Sequence, residues 1–197
     1  MVAAERTALV LLAAGRSQRF GAANKLTADL GGVSLGLHAI AALEEAPFAA
    51  RIAVTDEDVL ELGNRGYRVV HNPAPEDGMG RSVALGVAAA RRLDVDAVLI
   101  ALADMPCVSA AHVLRLLGAA EGPGDVVASS SGGTRSPPAL FGRAHFEALE
   151  TLDGEAGARA LILGGRAVVA APEELIDIDT LQDLARLQLS QRQTPAP

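Results

Sequence analysis

Aromatic residues are scarce, at 3% of the 197 residues, with no tryptophan and one tyrosine. The core is therefore expected to be aliphatic, and stacking platforms for single-stranded nucleic acid are not expected. There is one cysteine, Cys107. This excludes an internal disulfide framework and a cysteine-rich zinc site. Positive charge is also short: 17 Lys and Arg against 24 Asp and Glu leave a net charge of -7. A broad basic face for nucleic acid is not expected, although a local cationic loop can still hold a compact anion. No apolar run approaches the roughly 20 residues that span a bilayer. Met1 to Thr7 carry charge and no apolar leader segment. The expectation is a soluble cytoplasmic protein with neither a membrane nor a nucleic-acid partner.

What is present is aliphatic and alternating. Half of the residues are hydrophobic, and the length suits one domain with a full core. Strand-like runs recur at Ala8–Ala14, Arg51–Thr55, Arg68–His71, Ala97–Ala101, Asp125–Ser129, Ser136–Phe141 and Ala167–Ala170. Between several of them lie helix-like segments: Leu35–Glu45, Asp56–Gly63, Gly80–Leu93, Ala110–Ala120, Ala144–Leu149, Gly157–Leu163 and Thr180–Ser190. Short apolar runs alternating with longer amphipathic ones predict a single-domain, Rossmann-like α/β fold, a mostly parallel sheet flanked by helices. The domain is expected to span residues 1–190, with 191–197 a frayed tail. Ligands of such sheets sit beyond the carboxyl ends of the strands.

Four loops there carry chemistry. The first is Leu12-Ala13-Ala14-Gly15-Arg16-Ser17-Gln18-Arg19-Phe20-Gly21, followed by Asn24-Lys25-Leu26. A strand that empties into small residues and cations suits a polyphosphate, because backbone N–H groups can approach it and the cations neutralise it. The loop lacks the ending of a P-loop and is not a G-x-G-x-x-G fingerprint. The second is Asp104-Met105-Pro106, where a strand ends in a carboxylate placed to hold Mg²⁺ against phosphate oxygens. A turn or helix-capping role is the alternative, with Ser109 the nearer cap. The third is Asp177-Ile178-Asp179-Thr180, whose two carboxylates share one side of an extended segment. Asp179 or Thr180 can equally cap the last helix, with Gln182 or Asp183 reaching back. The fourth, Gly78-Met79-Gly80-Arg81-Ser82, is either a base- or ribose-binding loop or a plain glycine turn before a helix. His38, His71, His112 and His145 show no metal-ligand spacing and read as structural. Ser129–Ser131 with Gly132-Gly133 is a candidate for acceptor phosphate or a simple loop.

These pieces occur in an order that resembles the MobA-like nucleotidyltransferases, and within them the molybdenum cofactor cytidylyltransferase branch. The resemblance also rests on Pro137-Pro138-Ala139-Leu140-Phe141-Gly142-Arg143 and Gly157-Ala158-Arg159, and covers residue 9 to about 184. It implies a fold of the nucleotide-diphospho-sugar transferase type. It implies that Leu12 to Arg16 line the nucleotide, with Ala13, Ala14 and Gly15 at base and ribose. Arg19 and Lys25 would contact the triphosphate, and Gly78, Met79, Gly80 and Ser82 would help to read cytosine. Asp104, with Asp179 or Asp177, would hold Mg²⁺. Pro137, Pro138, Ala139, Leu140 and Phe141 would face the pterin. Catalysis would fall to Arg19, Lys25 and Asp104. The implied substrates are CTP (or GTP) and a phosphorylated pterin-type acceptor, with a molybdoenzyme or its chaperone as a further partner.

The chain departs from that pattern at Asn24, where an Asp often precedes the lysine. Gly36-Leu37 and Glu155 depart as well. Guanylyl transfer, another phosphorylated acceptor, a nicotinamide-dependent oxidoreductase, or non-catalytic cofactor delivery are the competing expectations. The missing G-x-G-x-x-G argues against the oxidoreductase.

Overall fold

The structure is a computed structural model and describes residues 2–15, 20 and 24–193. Its frame is a seven-stranded sheet in the order β5-β4-β1-β6-β8-β7-β9. Strand β1 (Thr7–Leu12) is buried at every position and pairs in parallel with β4 (Ala50–Thr55) and β6 (Ala97–Leu102). Strand β5 (Arg68–His71) continues the parallel set beyond β4. On the other side, β8 (Thr134–Gly142) runs antiparallel to both β6 and β7 (Val126–Ser131). Edge strand β9 (Arg166–Val169) is parallel to β7. The sheet is thus mostly parallel, with β8 as the one reversed strand among the seven.

Side-chain alternation divides the core in two. Leu9 and Leu11 of β1 join a cluster containing Leu35, Ile40, Val113 and Leu184. These come from α1 (Leu35–Glu44), α3 (Ala110–Ala119) and α6 (Leu181–Gln193). Ala8, Val10 and Leu12 face a second cluster with Val83, Val87, Phe146 and Ile162. That layer comes from α2 (Met79–Arg91), α4 (Phe146–Glu150) and α5 (Arg159–Gly164). A period of two along a strand that is apolar on both faces requires cover on both sides.

Two local readings need correction. The helix expected over 56–63 does not form. Thr55 Oγ1 and Asp56 Oδ1 accept the Glu57 N–H, Asp58 accepts those of Leu62 and Gly63, and Glu61 is left-handed at φ 52°. Side chains that bond to nearby backbone favour turns over helix, and only a short 3₁₀ turn, Leu62–Arg65, remains. A small hairpin not anticipated from the sequence joins β2 (Asp29–Leu30) to β3 (Val33–Ser34). Its turn residues Gly31 and Gly32 both have positive φ.

Two residues weighed from the sequence belong to this frame. His112 is fully buried in α3. Arg115 donates to its Nδ1 at 2.9 Å, so the ring proton sits on Nε2 and is donated to Ser129 Oγ at 2.8 Å. Ser129 in turn donates to the Pro138 carbonyl at 2.7 Å. Ser129 is fully buried and is spent in this chain rather than offered to a phosphate. Burial pushes the His112 pKa below its ordinary 6.5; Glu174 opposes this and Arg115 adds to it. A histidine whose folded pKa is lowered binds fewer protons than the unfolded chain, so stability falls as pH drops through 6.5. Urea midpoints are expected to fall between about pH 7.5 and about pH 5.5, and that slope is expected to flatten in His112→Gln.

Candidate active site

The loops after β1, β5 and β6 converge with the segment before α6. Hydrogen bonds extend the ladder past the strands: Ala13 N–H donates to the Val54 carbonyl and Ala103 N–H to that of Leu12. This carries Ala13-Ala14-Gly15 and Asp104 to adjacent points on the rim. Ile178 N–H donates to the Asp104 carbonyl at 3.0 Å, and the Ile178 side chain is fully buried. That anchor presents Asp177 and Asp179 on either side of it. Lys25 begins a 3₁₀ turn whose cap is Asn24, its Oδ1 accepting the Leu26 N–H at 3.0 Å. Asn24, a departure from the family pattern, therefore has a local structural task.

The result is a cleft of about 450 Å³. Leu12, Ala13, Ala14, Gly15 and Lys25 line one part of it. Gly78, Met79 and Ser82 line another, and Asp104, Asp177 and Asp179 face it as well. Gly80 stands just behind: a Cβ there would lie 2.4 Å from the Asp153 carbonyl, and its N–H donates to the Gly154 carbonyl. Gly78, at φ 97°, would meet the same loop. These two glycines let α2 start against residues 153–155 with its N-terminus toward the cleft. Arg16 and Arg19 lie outside the described residues.

At the centre is an ion cluster. Lys25 Nζ lies 2.5 Å from Asp104 Oδ2 and 3.3 Å from Asp179 Oδ1. Burial by itself would lower the Lys25 pKa, but the charges of Asp104 and then Asp179 outweigh it and hold the ammonium above its ordinary 10.5. Burial pushes the Asp177 carboxyl up, and the like charges of Asp179 and Asp104 add to this. The capping alternatives resolve on other residues. Ser109 Oγ accepts the His112 N–H and caps α3. Thr180 and Asp183 exchange N–H bonds as a reciprocal cap for α6. Neither Asp104 nor Asp179 is needed for a helix end.

Among the described residues no three His, Cys, Asp or Glu groups form a ready metal cage. Mg²⁺ does not demand one, since it is held by one or two carboxylates together with phosphates and water. Asp104 Oδ1 is buried with no hydrogen-bond partner, so an acceptor is left over beside a cation-binding pair. The donor set fits a divalent cation shared with a ligand. Cys107 is half-buried and its thiol is pushed up by burial, which makes it a poor nucleophile.

The expected acceptor strip is corrected by the fold at three of its five positions. Ala139, Leu140 and Phe141 are fully buried in β8, paired with β6 and β7. Neither they nor Pro137 and Pro138 line the cleft. A run of apolar residues in the middle of a sheet goes to the core. The cleft instead includes Leu102 and Glu155, together with Pro75 and Glu76, which motif reading passed over. Glu76 sits in the loop after β5, the position that the strand-end rule marks for inspection.

A strand-end cleft with a lysine held between carboxylates suits an α/β protein that takes a phosphorylated ligand. Residues 9–170 match the MobA-like NTP transferase domain. The chain is 33% identical to Purine catabolism protein PucB of Bacillus subtilis (strain 168), over 92% of this chain and 96% of the relative. It is similar to a nucleotidyl transferase from Methanothermobacter thermautotroptrophicus, with TM-score 0.80 and 25% identity over 96% of this chain and 99% of that one. Rv0371c of Mycobacterium tuberculosis, in a complex with manganese, shares the fold at TM-score 0.72 and 20% identity, over 94% of this chain and 99% of that one. The chain belongs to the MobA-like NTP transferase domain family, as a nucleotidyltransferase of that type.

Lys25→Met leaves Asp104 and Asp179 facing each other without their cation. Loss of the charge-assisted bonds is expected to cost about 2 kcal/mol of stability near neutral pH. Urea unfolding of the variant and the unaltered protein near neutral pH measures the difference.

Proposed function

We propose that the protein transfers CMP from CTP to the phosphate of molybdopterin, as its molybdenum cofactor, in a Mg²⁺-dependent reaction that releases pyrophosphate. The observation that carries nucleotidyl transfer is the Lys25–Asp104–Asp179 cluster with its unpartnered Asp104 Oδ1 at the strand ends. The choice of CTP and of a pterin acceptor rests on Ala13-Ala14-Gly15, Gly78-Met79-Gly80-x-Ser82 and the cytidylyl-branch pattern they resemble. The proposed setting is the cytoplasm.

An acceptor phosphate oxygen attacks the α-phosphorus in line, and the bond to the pyrophosphate oxygen breaks. A phosphate monoester is largely ionised near neutral pH, so no strong base is required. The protein's work is to position the groups and to offset charge. Lys25 brings a permanently charged ammonium to the triphosphate end, and the Ala14 and Gly15 backbone leaves room for close approach. Asp104 and Asp179 would hold Mg²⁺, with Asp177 beside them. That ion, when bound, would reconcile their negative charge with the triphosphate's.

The relationship to PucB favours a second reading, in which the product serves purine breakdown. This concerns where the reaction is used, and impaired purine catabolism in cells lacking the protein would support it.

Asp104→Ala is expected to lose about 3 kcal/mol of transition-state stabilisation, or roughly 100-fold in rate. Pyrophosphate release is measured with each of the four nucleoside triphosphates, Mg²⁺ and molybdenum cofactor. CTP is expected to be preferred. Release with GTP alone would replace the base assignment, and unchanged turnover in Asp104→Ala would sink the metal role.

A further inference from the structure

Ser82 has a hydroxyl whose polarity is set from behind. Asn72, just after β5, is fully buried. Its Oδ1 accepts the Ala74 N–H at 3.0 Å, and its Nδ2 lies 3.0 Å from Ser82 Oγ. Turning the amide over would set two donors against each other at Ala74, so the orientation is decided by that bond. Asn72 therefore donates to Ser82, and the Ser82 proton cannot be given back to it.

Helical serines commonly return their proton to the carbonyl four residues earlier. Here that residue is Gly78, whose φ 97° and ψ 175° lie outside the helix. Among the described residues Ser82 makes no second hydrogen bond. Ser82 is only 3% exposed, yet it lines the cleft. Gly78 and Met79 at the start of the same helix line the cleft beside it. On the nucleotide reading the phosphates go to the Lys25 ammonium, which leaves this wall to the base.

We propose that Asn72 is a positioning residue that makes Ser82 a hydrogen-bond donor toward the base of the bound nucleotide. The group it reads is an acceptor atom, a carbonyl oxygen or an unprotonated ring nitrogen. The inference rests on the nucleotide reading of this cleft and adds to it the residue that sets its discrimination. A buried donor left unmatched by an analogue is costly, which is how such a contact selects.

A double-mutant cycle tests it. Asn72→Asp, able only to accept, turns the Ser82 proton inward. Ser82→Ala removes the donor. Each is expected to lower kcat/KM for the preferred nucleoside triphosphate roughly 10- to 100-fold and to flatten preference among the four. The double variant is expected to be no worse than Ser82→Ala. Asn72→Ala is made alongside, since a buried carboxylate can impair folding; its effect should likewise vanish in the Ser82→Ala background. Thermal melting without nucleotide separates stability from selectivity. Effects that multiply, or Asn72 variants with full selectivity, overturn the positioning role while leaving the nucleotide reading in place. A wild-type protein that binds none of the four triphosphates by calorimetry overturns both.

Discussion

The Lys25 ammonium held between two carboxylates is the constraint on which the arrangement of this site depends. Lys25 is separated in sequence by 79 residues from Asp104 and by 154 from Asp179. Three segments from the beginning, middle and end of the fold meet at one charge. Each must be tied down independently for this to hold. Lys25 stands on a capped 3₁₀ turn with Leu26 buried behind it, Asp104 on the end of the buried strand β6, and Asp179 beside the buried Ile178. Without those apolar anchors, three charged side chains would drift to water, where such a pair is worth little.

The same cluster explains how an acidic protein can serve an anionic substrate. A chain of net charge -7 offers no long-range attraction to a triphosphate. The cleft itself carries Asp104, Asp177 and Asp179, and Glu76 and Glu155 line it as well. A divalent cation reverses that logic locally, since carboxylates that repel phosphate alone attract it through a shared ion. The lysine keeps the carboxylates compatible with one another when no such ion is present.

Much of this could be read from residue order, and the reasons are local. Asp104 could be freed from a capping role because Ser109 lay nearer the start of α3, and the structure agrees. For Asp177-Ile178-Asp179-Thr180, alternation put both carboxylates on one side of an extended segment, but capping competed. Only the reciprocal Thr180–Asp183 bonds settle it. Ala139, Leu140 and Phe141 were misplaced because a motif records which residues recur together, and says nothing of whether they recur for packing. Paired between β6 and β7, Ala139, Leu140 and Phe141 have no face left for a ligand. The stretch 56–63 failed for the opposite reason: its apolar spacing was helical, but Thr55, Asp56 and Asp58 captured the backbone donors first.

By itself, the sequence determined the elements and the chemistry they carry. Aliphatic runs of strand length alternating with amphipathic segments admit a layered, mostly parallel sheet, and strands that end in glycine, cation or carboxylate mark the working edge. These are properties of period and residue type, which need no partner. Tertiary structure alone decided which groups meet and with what polarity. Asn72 and Ser82 were both visible, but a hydroxyl's direction depends on the bond behind it, and that bond requires β5 and α2 to be packed in register. Lys25 was expected at a phosphate; that it lies between Asp104 and Asp179 follows from the strand order, because only the folded sheet brings those distant loops to one point.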